Sequence, residues 1–245
     1  MQRVGRPQRA PANIDVRTVL IVALVLSVLL WLVPGASLVL LPIHPYLTFV
    51  HEGWHALVAV LTGGHVSDVH IFGIYGGGVT GISGGATLLI ASAGYVGSAV
   101  TGATFLALLA RPGLLRLAAL IQYLWLAVVA LLWDHDINAW LYLLFFGFVL
   151  TVLARKVPER WFAIVMGLLA LQLNLAVLAD LRTLLLLSAF SSAHSDALLA
   201  ASVSHVPSVL WAALWTVMSG LLLLWSLRYA LGYGRTRRAR VSASL

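Results

Sequence analysis

His51, Glu52 and His55 stand in the order His-Glu-Gly-Trp-His, two imidazoles four residues apart with a carboxylate beside the first. On an α-helix, positions i and i+4 share a face one turn apart, so both imidazoles can reach one metal ion. Zinc takes imidazole nitrogens readily, and the adjacent carboxylate is placed to accept a proton from a water on the ion. The chemistry served by this spacing is hydrolysis. Glutamate is scarce here, since Glu52 and Glu159 are the only two in the chain. An acid in an apolar helix costs about 2.5–3.5 kcal/mol on insertion scales. The plainer reading, two buried histidines satisfied by polar neighbours, leaves that cost unexplained.

The element that must carry these residues is a greasy helix. Tyr46-Leu47-Thr48-Phe49-Val50 precede the pentapeptide and Ala56 to Leu61 follow it. The whole chain shares this character: of 245 residues, 61% are hydrophobic and 9% charged, with a mean hydropathy of +0.99. Soluble domains carry about 25% charged residues, so the composition is that of an integral membrane protein. The expected fold class is an all-α polytopic membrane protein. It has about six or seven hydrophobic helices and a short glycine-rich β-hairpin or strand insert after the HExxH helix. Cysteine is absent, which excludes disulfides and thiolate ligands. The net charge of +7 comes from arginines in the tails and short loops; it encodes membrane topology and is not a nucleic-acid signal.

Taken in order, residues 1–17 form a basic cytoplasmic tail, residues 18–231 a single membrane-embedded domain, and residues 232–245 a second basic cytoplasmic tail. The apolar run Thr18 to Leu41 is too long for a signal-peptide core and reads as a retained helix, kinked or split at Pro34-Gly35. Pro42 and Pro45 precede the HEGWH helix, and Gly63-Gly64 end it. The stretch up to Gly85 is rich in glycine and β-branched residues, and is expected to form one or two strands. Helices follow over about Thr87 to Ala110, Leu114 to Trp133, Ile137 to Ala154, Trp161 to Ser188 and Val206 to Leu231, with Ser191 to Asp196 as a polar loop. Gly94, Ser98 and Gly102 give the first of these a small-residue face for close helix approach. Placing Arg111/Arg116, Arg155/Lys156/Arg160 and the C-terminal tail inside lets the last four spans alternate. A basic N-terminus inside as well requires that one of the first three segments not cross fully.

His51-Glu52-x-x-His55-Ala56, Leu61-Thr62-Gly63-Gly64, the glycine-rich strands and Ala91-Ser92-Ala93-Gly94-Tyr95-x-Gly97 resemble the site-2 protease family, in its short bacterial and plant branch without a PDZ insertion. Asp180-x-Arg182-x-Leu184, Ser195-Asp196-Ala197 and Trp211-x-x-Leu214-Trp215 are similar to that branch in a looser way. The resemblance covers most of Pro42 to Arg228. It implies a zinc metallopeptidase that hydrolyses peptide bonds in or near transmembrane segments of other membrane proteins, as in regulated intramembrane proteolysis. His51 and His55 are then metal ligands for Zn2+ and Glu52 the catalytic acid–base. The implied partners are a transmembrane protein substrate and the lipid bilayer, and the implied location is a cell membrane, multi-pass, of bacterial plasma-membrane type.

Zinc needs a third protein ligand. The family's usual aspartate-glycine tripeptide is missing, which leaves Asp134, Asp136, Asp180 and Asp196 as candidates. At 1.5 Å per residue, His51 and His55 lie about 10 and 17 Å into a helix that starts near His44. Asp180 lies about 12 Å from a helix end near Ser188 on the same side. Depth therefore favours Asp180 as the metal ligand, with Asp196 next; Asp134, Asp136 and Asp196 fall in turns that would have to dip inward. His65, His70, His194 and His205 are expected at the surface or behind the ligands. The strands around Val69 to Ile74 could pair with an unwound substrate segment. A different class of reading, an inactive scaffold or a metal-handling transporter, has no need of Glu52, and no repeated halves of the transporter kind occur.

Overall fold

The computed structural model describes residues 15–33, 35, 38–39, 41–72, 77–187 and 195–242; the side chains of 31, 177–187 and 233–242 lie outside that description. The tail 1–14 and residues 243–245 therefore fall outside it, as do the side chains of most of the second basic tail. Helix α1 (Val16–Leu32) starts on Asp15, whose carboxylate accepts the Arg17 backbone N–H at 3.1 Å and the Thr18 hydroxyl at 3.0 Å. It stops before Pro34, as expected for a residue that precedes a helix breaker. Helix α2 (His44–Leu61) carries Pro45 in its first turn, where a missing N–H costs nothing, and ends at Thr62 and a left-handed Gly63.

The expected hairpin is present. Strands β1 (His65–Ile71) and β2 (Gly78–Ser83) pair antiparallel, with a register shift between Val66 and Asp68. The hairpin packs against α2 and α4. Its exit is tied back to α2, because the Ala86 N–H donates to the Thr62 hydroxyl at 3.1 Å. Then come α3 (Thr87–Leu108), α4 (Pro112–Trp133), α5 (Ile137–Lys156), α6 (Glu159–Leu187), α7 (Asp196–Ser204) and α8 (Ser208–Ser242). Among the described residues, α3, α4, α5 and the Ser208–Gly232 part of α8 are long and apolar enough to cross a membrane. The basic segment after Gly232 continues as helix to Ser242.

Helix α3 is the hub. Its small residues let it touch α2, α6, α7 and α8, while α1 lies on α6. The outward faces of α4, α5 and α8 stay greasy, with Ile121, Leu131, Leu144, Phe148, Leu221 and Trp225 all exposed, as a lipid-facing surface requires. The basic loops lie together at one end of the bundle. Arg116 and Glu159 meet at 3.7 Å, and Arg111 donates to the Tyr229 hydroxyl at 2.9 Å, which gathers the α3–α4 loop, the α5–α6 loop and the far part of α8 at one end. One element departs from expectation. Asp196 does not sit in a turn: it opens the nine-residue helix α7, whose N-cap Ser195 accepts the Leu198 N–H at 3.3 Å.

Candidate metal centre

The helix α2 places His51 and His55 on one face, as the spacing requires, and α3 crosses that face at Gly94. A methyl group at position 94 would run into the Nε2 atoms of both histidines. Only hydrogen at that Cα leaves the imidazoles their room. Three residues further on, Gly97 lies flat on the Trp54 ring, where a Cβ would collide with the indole, and the Trp54 Nε1–H donates to the Thr101 hydroxyl at 3.1 Å. The pentapeptide is thus locked to α3 on two sides.

Three ligand atoms converge at this point. His51 Nε2 and His55 Nε2 lie 3.0 Å apart, and Asp196 Oδ2 lies 3.1 Å from the first and 3.3 Å from the second. Bonds of about 2.0–2.1 Å around a tetrahedral zinc put neighbouring ligand atoms about 3.3 Å apart, so the triangle has the size of one tetrahedral face. Protonation points the same way. His55 Nδ1 lies 2.6 Å from the Ile90 carbonyl oxygen, which can only accept, so the ring carries its proton there. In the neutral ring, Nε2 then holds a lone pair aimed at His51 and Asp196, as in metal-binding histidines whose other nitrogen is fixed by an acceptor. Lone pairs facing one another at 3.0 Å call for a proton or a cation between them. Without a metal a proton fills that role: burial by itself raises the Asp196 carboxyl, and the positive charge of a protonated His55, with the hydrogen bonds from both imidazoles, outweighs it and holds the group well below the usual carboxylate range. It stays in the anionic form that ligates metals. Among the described residues, this is the one group of three His, Cys, Asp or Glu close enough to share an ion.

Glu52 is buried beside the pair, 7% exposed, and its carboxylate Oε2 accepts the Thr80 hydroxyl at 2.6 Å. Strand β2 follows the α2 face closely: the Gly77 N–H donates to the Thr48 hydroxyl at 3.1 Å, and a Cβ at Gly78 would lie 2.9 Å from Glu52 Cγ. Thr48 and Glu52 are one turn apart on α2, so the hairpin grips the helix where the acid sits. Sequence reasoning missed Thr80. Its strand context gives no signal, because threonine is common in strands for reasons of shape alone.

A family model described as Peptidase M50B-like matches residues 19–226. The chain belongs to that family, which is that of the site-2 proteases. Neither a curated protein nor a solved structure matches the chain. Membership in the M50B-like family makes it a membrane metallopeptidase, in agreement with the four apolar spans.

The remaining candidates sort by position. Asp180 lies on α6 in the stretch whose side chains are outside the described residues. Asp136 caps α5 by accepting the Asn138 N–H at 2.8 Å, and Asp134 accepts the Asp136 N–H at 2.9 Å; neither joins the two histidines. His65 and His70 are exposed on β1, His205 is the left-handed residue closing α7, and His194 is outside the described residues. The Ile90 carbonyl, not another histidine, orients His55.

Proposed function

We propose that the M50B-like chain is a zinc peptidase of the HExxH type that cleaves peptide bonds in or near transmembrane segments of other membrane proteins. The supporting observation is the triangle of His51 Nε2, His55 Nε2 and Asp196 Oδ2, with Glu52 buried next to it. His51, His55 and Asp196 would hold the ion, with Asp196 taking the third position that depth alone assigns to Asp180. Bound there, zinc supplies a Lewis acid that polarises a peptide carbonyl and brings the pKa of a water towards about 7. Glu52 does the proton work: it accepts the proton of the attacking water and delivers it to the leaving amine. Thr80 keeps Oε2 engaged, which leaves Oε1 to carry that proton. Glu52 and His55 are buried, whereas His51 and Asp196 keep partial exposure through which water can reach the site.

A transmembrane helix conceals its carbonyls in its own hydrogen bonds, so the substrate must unwind before attack. The hairpin supports that step by offering a strand edge beside Glu52 to the unwound segment. Proline at Ile71, whose N–H the antiparallel alternation turns away from β2, removes a donor from the outer edge of β1, and unchanged cleavage of a membrane-embedded substrate by that variant would exclude strand addition there. The central test is a pair of variants in detergent-solubilised protein. Glu52→Gln should keep one zinc per chain and lose proteolysis, and Asp196→Ala should lose the zinc. Proteolysis by Glu52→Gln, or full zinc in Asp196→Ala, would overturn the respective assignment.

A further inference from the structure

The three metal donors are held in different ways. His55 has a carbonyl partner at Nδ1; His51 instead stands edge-to-face with the ring of Tyr95, 4.7 Å between centroids and 81° between planes. Tyr95 in turn stacks on Trp215 of α8 at 5.0 Å and 22°, and Trp215 meets Trp211 at 6.1 Å. The Trp211 Nε1–H donates to the Ser204 hydroxyl at 2.8 Å. Ser204 is the last residue of α7, the helix that begins with Asp196. The ring system therefore starts on one metal donor and ends on the helix that carries another.

The packing around it is separate from the main core. Ala91 and Tyr95 of α3, Ala197 and Ala200 of α7, and Ala212 and Trp215 of α8 form their own buried cluster. Trp215 is 2% exposed and is among the largest fully buried side chains. Helix α7 has only nine residues, too few to hold itself in place by backbone hydrogen bonds. Its position depends on this cluster, into which its two buried alanines fit. A stacked pair of large rings is a stiff platform: each ring has two torsions, and neighbours on both faces block them. A metal site needs its ligands held to within about 0.5 Å, and among the described residues no backbone acceptor fixes His51 as the Ile90 carbonyl fixes His55.

We infer that Tyr95 and Trp215 are positioning residues for the metal face: the His51–Tyr95–Trp215–Trp211–Ser204 relay sets the angle of the His51 ring and seats α7 so that Asp196 completes the triangle. The inference rests on the reading of His51, His55 and Asp196 as the zinc ligands. Tyr95 touches neither substrate nor ion in this role; it acts through the ring it abuts. The ring is the part of Tyr95 that abuts His51 and Trp215, so phenylalanine at 95 should serve and leucine should not.

The experiment uses the full chain in detergent, with zinc affinity from competition with a chromophoric chelator and the visible spectrum of the Co2+-substituted protein as a report on ligand geometry. Tyr95→Phe should bind zinc within about twofold of wild type with an unchanged Co2+ spectrum, since the ring contact is kept. Tyr95→Leu should bind on the order of tenfold more weakly with shifted Co2+ bands, as when a ligand's supporting partner is lost. Tyr95→Leu with wild-type affinity and spectrum would overturn the inference. If Tyr95→Leu does not fold, Trp211→Phe decides: it keeps the ring and removes only the donor to Ser204. A shifted Co2+ spectrum supports the relay and an unchanged one refutes it. Asp196→Ala separates the two levels. If it keeps full zinc, the ligand assignment itself fails; if it loses zinc while the ring variants behave as wild type, only the relay fails.

Discussion

Gly94→Ala puts the smallest possible side chain against both histidines of the candidate metal face. The added Cβ would lie 2.5 Å from His55 Nε2 and closer still to His51 Nε2. Ordinary contact begins near 3.4 Å, so one methyl overlaps both ligand nitrogens by about 1 Å or more. Two terms oppose each other. Alanine gains about 1 kcal/mol over glycine in a helix interior, whereas forcing a methyl into a closed site costs about 1–3 kcal/mol. The first term is the same with and without metal. The second falls on the imidazoles and hence on the bound state. Zinc affinity should therefore drop by about ten- to a hundredfold, the equivalent of 1.4–2.8 kcal/mol, and kcat/KM should fall at least as far. The metal-free protein should unfold at a temperature close to that of the wild type. Gly220→Ala is the control, because a Cβ there meets nothing within 4 Å. The measurements are zinc titration, thermal unfolding with and without chelator, and cleavage of a reconstituted substrate. Wild-type zinc affinity in Gly94→Ala would refute the placement of α3 across the metal face.

Removing the Thr80 hydroxyl as Thr80→Val deletes a hydrogen bond to a buried carboxylate, a contact worth about 1.5–3 kcal/mol. The loss should appear as a drop in kcat of ten- to a hundredfold, about what that energy allows, with zinc content unchanged, and Thr80→Ser should restore most of it; equal rates for valine and serine would remove Thr80 from the mechanism. Asp134, in the turn after α4, has its pKa raised chiefly by burial, and its buried Oδ2 has no hydrogen-bond partner among the described residues. An acid whose folded pKa lies above its unfolded value binds its proton more tightly when folded, so its charge weakens the fold as pH rises through the folded pKa. Asp134→Asn keeps an oxygen for the Asp136 N–H and removes the charge, so it should raise Tm at pH 8 and lose that advantage towards pH 4; a pH-independent difference in thermal unfolding would contradict the assignment. Trp54→Phe removes the donor to Thr101 and should cost about 1 kcal/mol of stability, read by thermal unfolding.

What the sequence could tell depended on how local each signal was. The HExxH face, the proline at the start of α2, the glycines at its end and the strand pair are all written in neighbouring residues, and they appear as read. The long apolar runs gave α3 to α6 to within a few residues. Helix α7 was not legible. Nine residues between a polar loop and a long span lack the length for a helical pattern, although Ser195 ahead of Asp196 is a sound capping signal. The depth argument for the third ligand treated Asp196 as a surface turn, because chain spacing cannot show a short helix packing inward on Tyr95 and Trp215. Thr80 was hidden for a related reason: its partner lies 28 residues away, and nothing in a strand sequence marks which threonine faces an acid.

The split origin of the proposed metal donors has a consequence for biogenesis. Two come from α2 and the third from α7, and among the described residues three helices long and apolar enough to cross a membrane are made in between. A ribosome adding about 5–20 residues per second needs roughly seven to thirty seconds for the 140 or so residues that separate His55 from Asp196. Trp215, on which α7 rests, emerges later still. During that interval the nascent chain has two imidazoles and a buried acid but no complete metal face. A product truncated before Asp196 lacks that carboxylate, so on the proposed ligand set a half-made chain has no means of cutting its neighbours.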